Sequence, residues 1–461
     1  MSLVGAFIVP HPPLIVAEVG KGEENKISAT LNSYREVARR IAALKPDTII
    51  ITTPHSILYS DYFHISPGKT AKGNLGQFGA SKVSFRVEYD EEFANSLENR
   101  AERRGVEAGT LGEKNPELDH GTMVPLYFIN QYLSSYKLVR IGLSGLSLPM
   151  HYHLGRCIHE TAEQLGRRIV FVASGDLSHK LKEDGPYGYA WEGAEFDRKV
   201  TQAMREGDFL KFLELDPDFC EKAAECGLRS FIILAGALSG REVIPDFLSY
   251  EGPFGVGYAV CEFRLAGEAP ERHFDEIFTN KQKEIARKLQ IQEDAYVRLA
   301  RLSLETFVRT GKPAKLPEDL PKEMTSRRAG VFVSLKKHGS LRGCIGTISP
   351  VTGSIAEEIL RNAVSSGEED PRFPPVSKTE LDELVYSVDV LEEPEPIKSM
   401  EELDVKRYGV IVTSGRKRGL LLPNLEGVDT IEQQVSIAKR KAGIYDNEII
   451  SLERFEVVRH K

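Results

Sequence analysis

The chain alternates unbroken apolar runs with stretches whose apolar residues recur at helical spacing. Residues 3–9 (LVGAFIV) and 47–54 (DTIIITTP) are runs of the first kind, as expected for strands covered on both faces. Between them, 24–46 has helical periodicity and stops at Pro46. Strand, helix and strand make a βαβ unit, which predicts a parallel sheet. The same grammar returns further on. Residues 137–144 read as a strand, 151–166 as a helix and 167–174 as a strand; 194–207 and 229–238 read as helices, and 242–251 and 255–263 as closing strands. The pattern lapses over 264–280, which reads as a linker. A long helical stretch at 281–310 has room for one break, and a Pro-rich loop follows at 311–321. Strands are then predicted near 330–336, 384–391, 408–413 and 452–458, with helices near 354–366 and 430–442. The fold class is therefore α/β. A mostly parallel sheet flanked by helices occupies 1–268, and a second, α+β domain occupies 280–461.

Composition supports two domains, because 461 residues exceed one ordinary hydrophobic core. The net charge of −8 argues against a nucleic-acid partner, which needs a basic face. The five cysteines (Cys157, Cys220, Cys226, Cys261, Cys344) are scattered and form no CxxC pair, so a reducing compartment is expected rather than a disulfide framework. The first residues show no basic n-region, and no window holds the roughly 18 apolar residues of a membrane span. A cytoplasmic protein with no membrane partner is the expectation. No coiled-coil seam is visible, and an oligomer is compatible with the sequence.

Histidines change the picture from fold to chemistry. In doubly wound sheets, ligands bind beyond the carboxyl ends of the parallel strands. His11 follows strand 3–9, His55 follows 47–54 in TTPHS, and His179 follows 167–174 in SGDLSH. His120 lies in DHGTMVPL, read as a glycine-containing loop, and Glu251 ends the strand-like FLSYE. A single histidine at a strand end is ordinarily structural. Several at equivalent positions, with a carboxylate, indicate a site. Two imidazoles and one carboxylate can hold Fe(II) and leave positions open for substrate and O2. His151 and His153 begin a helix and His159 lies on it, while His64, His273, His338 and His460 have no company in the sequence.

The motifs VPHPPL, TTPHS, DHGTMVPL and SGDLSH, in this order, resemble the class III (LigB-type) extradiol ring-cleavage dioxygenases and their Memo relatives. The resemblance covers roughly 1–265. It implies that His11 and His55 are metal ligands and that Glu251 is the carboxylate ligand, with Glu262 as the fallback. It makes His179 the acid–base histidine and His120 the second histidine near substrate and oxygen. Memo-type relatives carry a cysteine where the dioxygenases have the carboxylate; Tyr250–Glu251 puts this chain on the dioxygenase side. The implied activity is Fe(II)-dependent cleavage of a catechol-like aromatic diol by O2, with another divalent metal as the alternative cofactor. The alternative function is a Memo-like metal-binding component, without ring cleavage, of a redox or modification pathway.

Residues 280–461 resemble the AMMECR-type domain through GVFVSLKKHGSLRGCIG, EEDPRFPPV, YGVIVTSGRKRGLLLP and EQQVSIAKRKAGI. Arg342, Cys344 and Arg372 are its chemically distinctive residues. AMMECR-type and Memo-type proteins are associated with a radical-SAM protein in microbial genomes, which makes such a protein a candidate partner. A non-enzymatic interaction role for this half is the remaining alternative.

Overall fold

The computed structural model describes every residue except Met1 and Glu426. It divides into two compact units, Met1–Phe278 and Thr279–Lys461.

The strands of the first unit are β1 (Leu3–Val9), β2 (Thr48–Thr53), β3 (Phe63–His64), β4 (Thr70–Leu75), β5 (Ala80–Glu88), β6 (Ala108–Gly109), β7 (Lys137–Gly142), β8 (Ile169–Ser174), β9 (Arg241–Glu251) and β10 (Tyr258–Glu268). One sheet runs in the order β7-β2-β8-β1-β10-β9. Its first four strands are parallel, and β10 and β9 close it antiparallel. This is the mostly parallel α/β architecture that the apolar runs predict. Alternate residues of β1 feed opposite cores: Ala6 and Ile8 enter one cluster, Phe7 and Val9 the other. Burial on both faces is why the strands read as continuous apolar runs. Ile8, Phe7 and Val9 each contribute about 1.5–3 kcal/mol, so the sheet forms a firm base for the loops at its carboxyl edge.

Several elements differ from expectation. The predicted linker at 264–280 is mostly ordered structure. Arg264 and Leu265 still pair with Ile244 and Val243, and a helix starts at Phe274. Half-exposed edge pairing, with polar residues alternating, hides that strand end from an apolar-run reading. The stretch 281–310 is two helices, Phe274–Gln292 and Ala295–Thr310. Asp294 makes the break, its carboxylate accepting from the Tyr296 and Val297 amides. His120 is not in a loop but opens the helix His120–Ile129, capped by Asp119. The hairpin β4–β5 and the helix Glu91–Arg103 have no counterpart in the sequence reading.

The second unit is built on antiparallel sheets. Its strands are β11 (Val331–Lys337), β12 (Ser340–Gly346), β13 (Leu384–Leu391), β14 (Glu395–Ile397), β15 (Gly409–Ser414), β16 (Lys417–Leu421), β17 (Ser451–Phe455) and β18 (Val457–His460). They pair as β12-β11-β13-β18 and β14-β17-β15-β16. Helix Ile355–Glu368 packs on β11 and β12, and helix Ile431–Lys441 on β15 and β16. Among the described residues, no helix is long and apolar enough to cross a membrane.

Candidate metal centre

His11 lies just beyond β1, between prolines that restrict the backbone, and is 1 % exposed. Its amide donates to Asp176 Oδ1 at 2.8 Å. Its Nδ1 is 2.9 Å from Ser174 Oγ, at the end of the neighbouring β8. That hydroxyl donates its own proton to the Gly121 carbonyl at 2.6 Å, so it accepts from His11 Nδ1–H. The Gly121 carbonyl is free for this because Pro125, four residues on in the same helix, has no N–H to give it. The outcome is a fixed tautomer: His11 Nε2 is bare and aims its lone pair at the site.

His55 follows β2, and its Nε2 stands 2.9 Å from His11 Nε2. With metal–nitrogen bonds of about 2.0–2.1 Å, two imidazoles on one ion sit roughly 3 Å apart. The third member is Cys226, whose Sγ is 3.7 Å from His11 Nε2 and 3.7 Å from the Asp176 carbonyl. Ligand atoms of His11, His55 and Cys226 all lie within 4.8 Å of one another. Asp176 Oδ2 is 3.9 Å from His11 Nε2, at the side of the cluster.

Two more histidines surround this group. His120 stacks on His55 with ring centroids 3.9 Å apart and lies 5.5 Å from His11. His179 Nδ1 is 2.6 Å from the Ala224 carbonyl, so Nδ1 carries the hydrogen and Nε2 is free to take a proton. Burial, then the neighbouring histidines, hold His11 well below its ordinary pKa. Burial and His120 bring His55 to about 4. Burial lowers His120 and His179 as well. All four imidazoles are thus neutral at pH 7, the form that binds metals and accepts protons. Burial, Asp176 and Glu225 push the Cys226 thiol well up without an ion; a bound cation reverses that balance and deprotonates a coordinating thiol.

The structure brings His11, His55, His120 and His179 together and places Glu251 elsewhere. Glu251 Oε2 accepts from both Thr30 N and Thr30 Oγ1 at 2.7 Å, securing the start of helix Ser28–Leu44. Its strand ends on the correct edge of the sheet, but β10 lies between β9 and β1, a lateral offset of roughly 10 Å at about 4.8 Å per strand. The fallback, Glu262, is bonded to Arg40. Cys226, named in the sequence only as one of five scattered cysteines, is the third group beside the histidine pair. Its signal was CGL immediately before an apolar helix. A Cβ on Gly175 would meet Gly227 Cα at 2.2 Å, and one on Gly227 would meet the Asp176 carbonyl at 2.8 Å. Paired glycines let the Cys226 turn sit against the end of β8.

In the second unit, Cys344 Sγ accepts from Ser334 Oγ at 3.2 Å, and its amide donates to Asp370. Arg372 pairs with Asp370 and Arg342 with Glu380. These charges are internally matched and hold the loop after helix Ile355–Glu368 onto β12.

Imidazoles at the carboxyl ends of parallel strands, converging with a thiol, form a candidate metal site on an α/β scaffold. The chain belongs to the LigB family: residues 5–261 match the model described as the catalytic LigB subunit of aromatic ring-opening dioxygenase, and residues 297–460 match AMMECR1. It is 45 % identical, over the whole of both chains, to the protein CA_C1420 of Clostridium acetobutylicum. A Thermotoga maritima protein is 51 % identical over 173 residues, covering 37 % of this chain and 99 % of that one. The crystal structure of PH0010 from Pyrococcus horikoshii, 35 % identical, covers 36 % of this chain and 88 % of its own at a TM-score of 0.34.

Proposed function

We propose that this chain is a non-haem iron(II) oxidoreductase of the dioxygenase type, acting with O2 on a catechol-like diol, with the ion held by His11, His55 and Cys226. The observation that carries this reading is the bare Nε2 of His11, 2.9 Å from His55 Nε2 and 3.7 Å from Cys226 Sγ. Two neutral imidazoles and one thiolate carry the same charge as two imidazoles and a carboxylate, so the donor set fits a divalent ion. When bound, iron(II) would supply adjacent sites for the diol and O2 and pass charge between them. The protein's own part is proton handling. His179 Nε2, with Nδ1 anchored on the Ala224 carbonyl, accepts a hydroxyl proton. His120, stacked on His55, borders the same cluster.

Cys226 itself favours a second reading. A cysteine ligand is the mark of the Memo-type relatives, and a thiolate suits copper(I) and zinc as well as iron. On that reading the chain binds metal tightly but opens no ring. One experiment separates the two. The protein is loaded with iron(II) without oxygen, offered a catechol panel, then aerated, while O2 uptake and a coloured ring-fission product are followed. Uptake coupled to product supports the first reading. Tight, His11-dependent metal binding with no uptake on any diol supports the second.

A further inference from the structure

His273 has no company in the sequence but acquires it in the fold. It follows β10, which runs antiparallel to β1 and so ends at the amino edge of the parallel strands, opposite the edge that carries His11. A ring nitrogen of His273, a carboxylate oxygen of Asp275 and one of Glu276 lie within 4.8 Å of one another. Two donors at about 2.0–2.2 Å from one ion span roughly 4 Å, so the three are close to the arrangement that a single ion needs. Glu276, with 62 % of its side chain exposed, is free to close the remaining gap.

Two further observations set this group apart from an ordinary surface cluster. The first is the seat of the imidazole. His273 Nδ1 is 2.8 Å from Ser239 Oγ, the same placing of a hydroxyl on Nδ1 that holds His11 against Ser174. With Nδ1–H donating to that hydroxyl, Nε2 is left bare for an ion, the usual way a ligand histidine is oriented. The second is the buried carboxylate. Asp275 is 4 % exposed, and its Oδ1 has no partner within the chain. Its nearness to the His273 nitrogen turns this carboxylate toward the cluster, and an ion bonded at about 2 Å needs no water-sized opening to reach it. Arg156 Nη1 lies 2.7 Å from Asp275 Oδ2 and 3.3 Å from Glu276 Oε1. One guanidinium is thus shared by two carboxylates and balances one of their two charges. His153 Nε2, 3.4 Å from Asp275 Oδ2, adds a second imidazole at the side of the group. Arg156, Ser239 and His273 line a cavity of about 340 Å³, which gives an ion its way in.

We propose that His273, Asp275 and Glu276 form a second metal site, for zinc(II), which ties the turn after β10 to the first turn of helix Phe274–Gln292. An imidazole with two carboxylates suits zinc better than magnesium or calcium, which take oxygen ligands. Zinc brings no redox chemistry, so the site is structural. It takes no part in the reaction proposed at the carboxyl edge and stands whether or not that reaction occurs. Without a thiolate, it holds zinc less tightly than the centre at His11, His55 and Cys226.

The test uses the full chain carrying His55→Ala and Cys226→Ser, which remove two donors of the first centre. Zinc(II) itself is the probe, titrated against a chromophoric chelator. This protein should take up one more equivalent at micromolar zinc than the same protein with His273→Ala added. Glu276→Gln, a change on an exposed side chain, should weaken that uptake at least fivefold. Cobalt(II) in place of zinc should give visible d–d absorption that falls with His273→Ala, which reports coordination directly. Magnesium at millimolar concentration should not displace the zinc. Equal uptake with and without His273→Ala, or displacement by magnesium, overturns the proposal. Should His273→Ala fail to fold by circular dichroism, Glu276→Gln decides alone, and undiminished uptake in that variant overturns the proposal as well.

Discussion

At the scale of single residues, the site depends on one hydroxyl proton. Ser174 donates to Gly121, so it can only accept from His11, and that fixes which imidazole nitrogen faces the candidate site. Ser174→Ala should therefore leave the fold intact yet weaken metal binding by about 10–100-fold, the usual cost of losing a group that orients a ligand histidine. A competition titration against a chelator measures it, and unchanged affinity would mean that the tautomer is set elsewhere. Cys226→Ser should lower affinity for zinc and copper(I) more than for iron(II), because it removes the soft donor, while Cys226→Asp should retain iron(II). Parallel metal titrations on the two variants decide this; equal losses for all three metals would overturn the soft-donor preference, and unchanged affinity for all three would remove Cys226 from the ligand set. His11 and His55 were legible because each follows a continuous apolar strand, where chain order and spatial position coincide. Cys226 was not, since it sits in a turn between helices Pro217–Ala223 and Leu228–Ala237, and only the fold carries that turn to the end of β8. Glu251 misled for the complementary reason. A strand end gives the edge of the sheet but not the distance along it.

At the scale of elements, close approaches matter more than propensities. Gly175 and Gly227 touch where a side chain on either would collide with backbone. Gly175→Ala should push the Cys226 turn outward, reducing metal affinity by tenfold or more while leaving the helical circular dichroism unchanged. Loss of secondary structure together with metal would show the contact to be needed for folding rather than for the site. In the second unit, Glu380 plays the corresponding part, tying the 377–380 turn to Arg342 on β12. Burial opposes its charge, but Arg342 and the Ser377 amide win, and its carboxyl is held at about 2. A carboxyl with a depressed folded-state pKa stabilises above its unfolded value, about 4.3, and loses that contribution as pH falls toward 2. Glu380→Gln should thus cost about 3 kcal/mol at pH 7 and little near pH 2, read by urea denaturation at both pH values. An equal cost at both would assign the effect to packing rather than charge. The α/β class and the main parallel strands were readable from periodicity. The hairpin β4–β5, whose Asn74 shares a cavity with His55 and His120, was not, because its alternation of half-exposed residues and glycine carries no strong apolar signal.

At the scale of the whole molecule, each unit has the means to fold alone. The clusters around Ile8, Phe171 and Phe231 and around Phe7, Ile51 and Val172 lie within the first unit, and the cluster around Val333, Ile359 and Val388 lies within the second. All the candidate ligands precede Phe278. A protein comprising residues 1–278 should therefore bind one equivalent of iron(II) or zinc with the affinity of the full chain, within about twofold, and unfold in one cooperative transition. Its complement, 279–461, should fold and bind neither metal at that affinity. If the 1–278 protein folds but binds metal much more weakly, the second unit contributes to the site in a way its own contacts do not reveal. The catechol panel, run on full chain and fragment alike, would then show whether turnover depends on it. Matching behaviour would leave the second unit a separate task, one that begins with the internally paired loop around Cys344 and Arg372.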